Sequence, residues 1–204
     1  VLFAGKIDKP KITNLKLDLK GIYYIPRIIK SFKLGDAAIL KELIIILAEN
    51  DIKVIKSNFF NPELTLKKGI YTKSKPSKKD LDEIKTGVKS LNKLSSYNHT
   101  QAIIIRDNKV ILKETSRGTK RMIQIAGKTK IKRGMLIKFP KKKQDLRADL
   151  PTIGLETLKD CKKANLKGII LKSNQNIFLD QKKSIKFANK NNIFVYVSWK
   201  KYSF

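Results

Sequence analysis

Cysteine and histidine each occur once in this chain of 204 residues, as Cys161 and His99. One cysteine closes no internal disulfide, and one histidine builds no multi-histidine metal centre, so disulfide scaffolds, zinc fingers and histidine-rich metal sites are excluded. Cys161 falls on a predicted helix, where it reads as a small half-buried core residue, and a reducing, cytoplasmic setting fits it. His99 reads as a loop or strand-edge residue just before a hairpin. The glycine-based signatures of nucleotide and ester chemistry are absent: there is no GxxxxGK[ST], no GxGxxG and no GxSxG. No run of about 18 apolar residues exists, so no segment is a transmembrane-helix candidate. The longest apolar stretch, "AILKELIIILA" (Ala38–Ala48), is interrupted by Lys41 and Glu42 and reads as a buried helix. A start methionine and a signal peptide are also lacking. The chain opens on "VLFAGKIDKP", where Val1–Ala4 reads as a buried strand and Gly5 as a tight turn. A buried strand is an unusual first element, and the expectation is a fragment that starts inside a domain whose earlier strands lie upstream.

Acidic residues are scarce too. Asp and Glu number 17 against 46 Lys and Arg, for a net charge of +29 and an isoelectric point of about 10.2. Such a balance invites a nucleic-acid reading, but two features argue against it. Only six of the 46 basic residues are arginine, the side chain suited to bidentate base and phosphate contacts. The lysines are spread over every element, and lysine, isoleucine and asparagine are inflated together, as an AT-rich genome would produce. What survives is a surface that attracts anionic lipid headgroups or phosphorylated ligands. A basic protein that binds nucleic acid or anionic membrane without catalysis stands as the alternative reading.

Periodicity predicts alternating helices and strands. Asp18–Lys30 reads as a short amphipathic helix with Pro26 as a potential break, and Asp36–Asn50 as a helix capped by Asp36. "DIKVIKS" (Asp51–Ser57) alternates apolar and polar residues as a strand does, and Asn61–Ser77 reads as loop. Ser77–Leu94 reads as a helix with Ser77 as cap, Asp80 in the first turn, and Leu81, Ile84, Val88 and Leu91 on its apolar face. Ala102–Arg106 and Lys109–Glu114 flank Asp107-Asn108, a hairpin signal. There follow a short helix over Gly118–Ile125, a strand over Gly134–Pro140, a helix over Leu155–Asn165, strands over Lys167–Lys172 and Asn176–Asp180, a helix over Gln181–Asn191, and a strand over Asn192–Ser198. Several strands are apolar on both faces, so the fold class is α/β with a largely covered mixed sheet. The domain boundary falls between Lys30 and Asn61.

The loop "KKKQDLRADLPTIGLETL" (Lys141–Leu158) concentrates what chemistry the chain offers. Gln144, Asp145, Arg147 and Asp149 lie within six residues, after a strand and before Pro151, Thr152, Gly154 and a helix. The C-terminal ends of strands are where open α/β sheets bind ligands, and a helix N-terminus favours anions. A carboxylate suits Mg²⁺ and a guanidinium suits phosphate. An Asp–Arg pair that merely holds a turn would look the same. A second candidate is "KETSRGT" (Lys113–Thr119), where Glu114 ends a strand and Gly118-Thr119 could open a turn towards phosphate; a plain strand-to-helix connection is the alternative there.

These residues resemble a family signature. "KFPKKKQDLRADLPTIGLETL" is similar to the LpxI-type UDP-2,3-diacylglucosamine diphosphatases, whose pattern reads roughly K-x-P-K-P-x-Q-D-x-R-x-D-L-P-T-I-G-x-x-T. Lys138, Pro140, Lys141, Gln144, Asp145, Arg147, Asp149 through Gly154, and Thr157 match it. "FAGKIDKP", "LGDAAILKEL", "KPSKKDLDEIKTG" and "VILKETSRGTKRMI" resemble further family segments, in the family's order. The resemblance implies two α/β domains: residues 1–48 as the end and linker of a partial N-terminal domain, and residues 49–204 as a C-terminal mixed-sheet catalytic domain. It implies Mg²⁺-dependent hydrolysis of the pyrophosphate of UDP-2,3-diacylglucosamine to UMP and 2,3-diacylglucosamine 1-phosphate, in lipid A biosynthesis of a Gram-negative cell. The place implied is cytoplasmic and peripheral to the inner membrane; no nucleic-acid partner is implied, a homo-oligomer is left open, and the fragment alone is expected to be inactive.

Asp149 is implied as catalytic residue and Mg²⁺ ligand, with Arg147 and Asp145 beside it in catalysis. Lys138, Gln144, Thr152, Gly118, Thr119 and Glu114 are implied as substrate-binding residues. The chain departs from the pattern at three places. The family's "EGTD" is Arg117-Gly118-Thr119-Lys120, its "DVGQ" is Asn98-His99-Thr100-Gln101, and its "GDD" is Gly35-Asp36-Ala37. Either the carboxylate replaced by Lys120 is dispensable, or this lineage has altered its site.

Overall fold

A computed structural model describes residues 1–3, 16–94, 100–129, 133–141 and 144–198. His99 and most of "FAGKIDKP" therefore lie outside the described residues. The chain forms two compact units, one of Val1–Asn61 with Gln144–Asp149, the other of Pro62–Lys143 with Leu150–Phe204.

In the first unit, helix α1 (Leu19–Phe32) and helix α2 (Asp36–Glu49) pair as a hairpin. Asp18 caps α1 by accepting the Gly21 N–H at 2.7 Å. Pro26 does not break the helix: α1 runs through it to Phe32, because packing and ion pairs on α2 outweigh the one backbone bond a proline removes. Arg27 donates to Glu42 at 2.6 Å and, through both terminal nitrogens, to Glu49 at 2.7 and 2.9 Å. Lys20 reaches Asn50, whose amide donates to the Tyr24 hydroxyl, so the start of α1 lies against the end of α2.

The expected strand over Asp51–Ser57 is absent, as is one over Val1–Phe3; Ala4 lies outside the described residues. What exists is one point of pairing, with the Val1 nitrogen donating to the Lys53 carbonyl and the Ile55 N–H to the Val1 carbonyl, both at 2.9 Å. A strand needs a run of such pairs, and alternation in Asp51–Ser57 supplies none without a partner.

The second unit is a mixed α/β sheet. It contains β1 (Gly69–Ile70), helix α3 (Lys78–Leu94), β2 (Ala102–Arg106), β3 (Lys109–Lys113), helix α4 (Gly118–Lys128) and β4 (Met135–Lys138). It continues with β5 (Thr152–Ile153), helix α5 (Leu155–Lys163), β6 (Gly168–Lys172), β7 (Ile177–Phe178), helix α6 (Gln181–Lys190) and β8 (Phe194–Ser198). The six-stranded sheet has the order β1-β8-β6-β4-β2-β3. β4, β6 and β8 are mutually parallel, and β1 and β2 run antiparallel to their neighbours β8 and β4. β5 and β7 form a separate parallel pair. β1 and the 3-10 turn Pro62–Leu64 fall in the segment expected to be loop, and β5 in the signature loop.

The β2–β3 hairpin forms as expected. Asp107 and Asn108 take φ of 48° and 58°, the left-handed pair that a two-residue turn matching strand twist requires. Buried Glu83 on α3 accepts the Asp107 N–H and so fixes the turn to the helix. α3 starts where Ser77 and Asp80 hydrogen-bond each other's backbone N–H reciprocally, a capping box with aspartate in the acidic place. Its Ile84, Val88 and Leu91 pack on one sheet face with Ile103, Ile105, Met135 and Ile137. The other face carries Ile104, Leu136, Ile169 and Val195 beneath Met122, Ile123, Leu158 and Cys161 of α4 and α5. Cys161 is fully buried, deeper than the half-buried core position expected. At Gly168 a β-carbon would run into the Phe194 ring, which packs across the bare backbone of β6 there.

Candidate active site

β3 and β4 run in the same direction, each antiparallel to β2 between them. Glu114, just past the end of β3, and Lys138, the last residue of β4, therefore reach the same edge of the sheet. α4 and α5 both begin at that edge, and the four elements enclose a cleft of about 430 Å³. Its lining includes Glu114, Gly118, Thr119, Lys138 and Thr152. Five residues expected to bind substrate, dispersed over 39 positions of sequence (Glu114 to Thr152), thus share one cavity.

The cleft is internally braced. The Glu114 carboxylate accepts the Thr119 hydroxyl at 2.6 Å and the Gln101 N–H at 2.9 Å, tying the end of β3 to the first turn of α4. Gly118 takes φ of 79°, a left-handed backbone that glycine adopts without strain, and the space beside its Cα is open. The Lys138 ammonium donates to the Thr152 carbonyl at 3.0 Å. Asn176, 1% exposed, donates to the Lys138 carbonyl at 3.0 Å and more weakly to that of Pro151, and accepts the Lys172 N–H at 2.9 Å. It joins the ends of β4 and β6 to the chain entering α5. Sequence reasoning passed over Asn176, since nothing local marks an asparagine whose partners lie 38 and 25 residues away.

Neither α4 nor α5 has a side-chain cap. Their first N–H groups are left to other acceptors, and each helix dipole presents its positive end. Arg117, Lys120, Glu156, Thr157 and Asp160 complete the charged lining. Thr157 belongs to the signature, and Arg117 and Lys120 are the departures noted from it. Glu156 and Asp160 carried no signal. Glu156 is held below the usual carboxylate range, first by its hydrogen bond from Lys159, with Lys120 and Lys163 adding charge. A second groove of about 470 Å³ lies between α4 and α5, lined by Arg121, Gln124, Lys128 and Lys163. It contains none of the expected site residues.

Gln144–Asp149 forms a hydrogen-bonded turn in the first unit. The Asp145 carboxylate accepts the Arg147 backbone N–H at 2.9 Å and side-chain N–H groups at 2.7 to 3.2 Å. These bonds, outweighing partial burial, hold Asp145 below the usual range, and the same partner raises Arg147. Gln144 donates its amide to the Asp149 carbonyl, and the Asp149 N–H donates to Asp145, so the turn closes on itself. Asp149 is half-buried. Asp145, Arg147, Asp149 and Gln144 are thus brought together as one group. Among the described residues, no three His, Cys, Asp or Glu side chains converge as a metal cluster.

Two family models match the chain: the LpxI N-terminal domain over residues 1–64 and the LpxI C-terminal domain over residues 67–196. A curated protein of Caulobacter vibrioides, described as UDP-2,3-diacylglucosamine pyrophosphatase LpxI, is 26% identical over 203 residues, which cover 96% of this chain and 72% of that protein. The chain belongs to the LpxI family.

Proposed function

We propose that this protein is a phosphoanhydride hydrolase that splits the pyrophosphate of UDP-2,3-diacylglucosamine into UMP and 2,3-diacylglucosamine 1-phosphate in lipid A synthesis. The observation that supports this most is the convergence of Lys138, Thr119 and the N-termini of α4 and α5 on one cleft. Such groups stabilise charge on phosphoryl oxygens without having to reorganise. In the reaction a water oxygen bonds to one phosphorus and gives up a proton to solvent, the bond to the bridging oxygen breaks, and the leaving phosphate takes the electron pair.

Asp149 is the residue we assign to the attacking water and to Mg²⁺. A lone carboxylate ligand fits an ion that arrives with a diphosphate and keeps most of its waters, the usual mode for Mg²⁺. Bound there, Mg²⁺ would supply charge neutralisation on the diphosphate. Arg147 has five N–H donors, and Asp145 engages only part of that fork, so Asp145 acts as its positioning residue while the remaining N–H groups face phosphate. Lys138, Thr119 and Thr152 bind phosphate oxygens, Gly118 lets the backbone approach them, and Glu114 and Gln144 position their neighbours.

The test is UMP release from UDP-2,3-diacylglucosamine, followed chromatographically with Mg²⁺ and with EDTA, using the protein expressed from its whole gene. Release with Mg²⁺ is expected; no release with either would overturn the reading.

We further propose that the protein meets its lipid substrate at an anionic membrane surface from the cytoplasmic side. No helix among the described residues is long and apolar enough to cross a membrane. α1, however, exposes Leu19, Ile22, Tyr23 and Ile29 along one stripe, with Lys16, Lys30 and Lys33 nearby. An apolar stripe flanked by lysines suits an interfacial helix. Co-sedimentation with phosphatidylglycerol vesicles, and little with phosphatidylcholine, is expected; an Ile22→Glu, Tyr23→Glu double variant that sediments equally well would refute the assignment to α1.

A further inference from the structure

The first turn of α4 carries the wrong sign of charge for its own helix. A helix N-terminus is a positive pole that favours acidic side chains. α4 has no acidic residue in its first turn, and instead Arg117 stands at the N-cap with Lys120 and Arg121 just inside. α5, entering the same cleft, follows the ordinary rule with Glu156. Like charges at a positive pole cost stability unless an anion sits between them. Arg117 and Lys120 both line the cleft beside Lys138, and both are exposed to it.

The cleft also holds three carboxylates, Glu114, Glu156 and Asp160, as many as its basic side chains. Glu114 is occupied by Thr119 and Gln101. Glu156 is bonded by Lys159 at 2.6 Å and feels Lys120 only through space. Asp160 stands one turn further along α5. Against these acids the cleft sets Arg117, Lys120 and Lys138, with Lys159 already on Glu156 and two helix dipoles added.

We propose that Arg117 and Lys120 are specificity-determining residues that give the cleft a diphosphate subsite able to bind its anion without a divalent cation. The identity of that anion rests on the diphosphatase reading above. Positive charge supplied by these side chains would then make ground-state binding independent of Mg²⁺ and leave the ion to act on turnover alone.

Inorganic pyrophosphate in EDTA is the probe, titrated calorimetrically against the wild-type protein, Arg117→Gln, Lys120→Gln, and a control, Lys93→Gln on α3 at the opposite sheet face. Wild type and control should bind, and each cleft variant should weaken binding about tenfold, the scale of one charge-assisted contact. Without anion, Lys120→Gln should melt no lower than wild type, because it removes a repulsion at the helix pole; pyrophosphate should raise the wild-type melting temperature more than the variant's. A merely structural lysine would lower the melting temperature and leave the affinity of the folded protein unchanged, and that result overturns the proposal. So does a wild type that binds pyrophosphate only with Mg²⁺. Release of UMP by a wild type whose pyrophosphate affinity is indifferent to both substitutions would sink this inference alone. Pyrophosphate binding in EDTA that weakens in both cleft variants, without UMP release, would uphold the subsite and sink the reaction.

Discussion

Asp149→Ala should lower UMP release by about a thousandfold while leaving affinity for the lipid nucleotide within a few-fold of wild type. A group that orients water and a metal acts mainly in the transition state, so its loss falls on kcat and not on ground-state binding. Single-turnover rates with saturating protein, set beside equilibrium binding in EDTA, separate the two quantities. Near-normal Mg²⁺-dependent turnover in the variant would mean that Gln144–Asp149 is only the self-bonded turn its hydrogen bonds already make it. Arg147→Lys offers a gentler contrast. Lysine keeps the charge but cannot fork between Asp145 and a phosphate, so it separates geometry from charge.

Asp80→Ala should cost the second unit about 3 kcal/mol of stability, measured by denaturant unfolding. Asp80 accepts from Ser77 at the start of α3 and pairs with Lys167 just before β6, 87 residues away, with its own side chain 10% exposed and that of Lys167 24% exposed. Removing it strips a helix cap and strands a largely buried ammonium; residual solvent access at Lys167 keeps the loss below that of a fully buried pair.

The pH dependence has a definite sign. Burial pushes the Asp80 carboxyl upward, but hydrogen bonds from Lys167 and Ser77 outweigh it and hold the group below its ordinary range. A carboxyl depressed in the folded state contributes stability that is present above its unfolded pKa of about 3.9 and is lost as pH falls through the folded value. The stability gap between wild type and Asp80→Asn should therefore be constant near neutrality and close below about pH 4. A gap that persists unchanged into strong acid would show that Asp80 acts through packing and not through its charge.

Features of the second unit that rest on local chemistry were legible in the sequence. Asp107-Asn108 tolerates the left-handed backbone a tight hairpin needs, and Ser77 with Asp80 spells a helix start, so both elements stand where expected. Two-residue strands such as β1 and β5 display no period, and they exist only because β8 and β7 supply partners. The converse holds at Asp51–Ser57, where alternation is present and a ladder is not. The grouping of Glu114, Gly118, Thr119, Lys138 and Thr152 came from resemblance, because no local rule says that the ends of β3 and β4 share an edge; strand direction does. Within the signature loop, residue types could not separate an Asp–Arg turn from a site, and the structure places Asp145 and Arg147 in contact, which makes one residue the support of the other.

Cys161 lies sealed beneath α5, and burial raises its thiol far above the range in which a thiolate forms. As the chain's sole sulfhydryl, it makes the protein a natural clock of its own breathing. An alkylating reagent finds nothing to react with until α5 lifts from the sheet. The rate at which the label accumulates then measures how often that happens. Because α5 also forms one wall of the cleft, any ligand that settles there should slow the clock, and the slowing reads occupancy with no substrate turned over and no reporter group introduced.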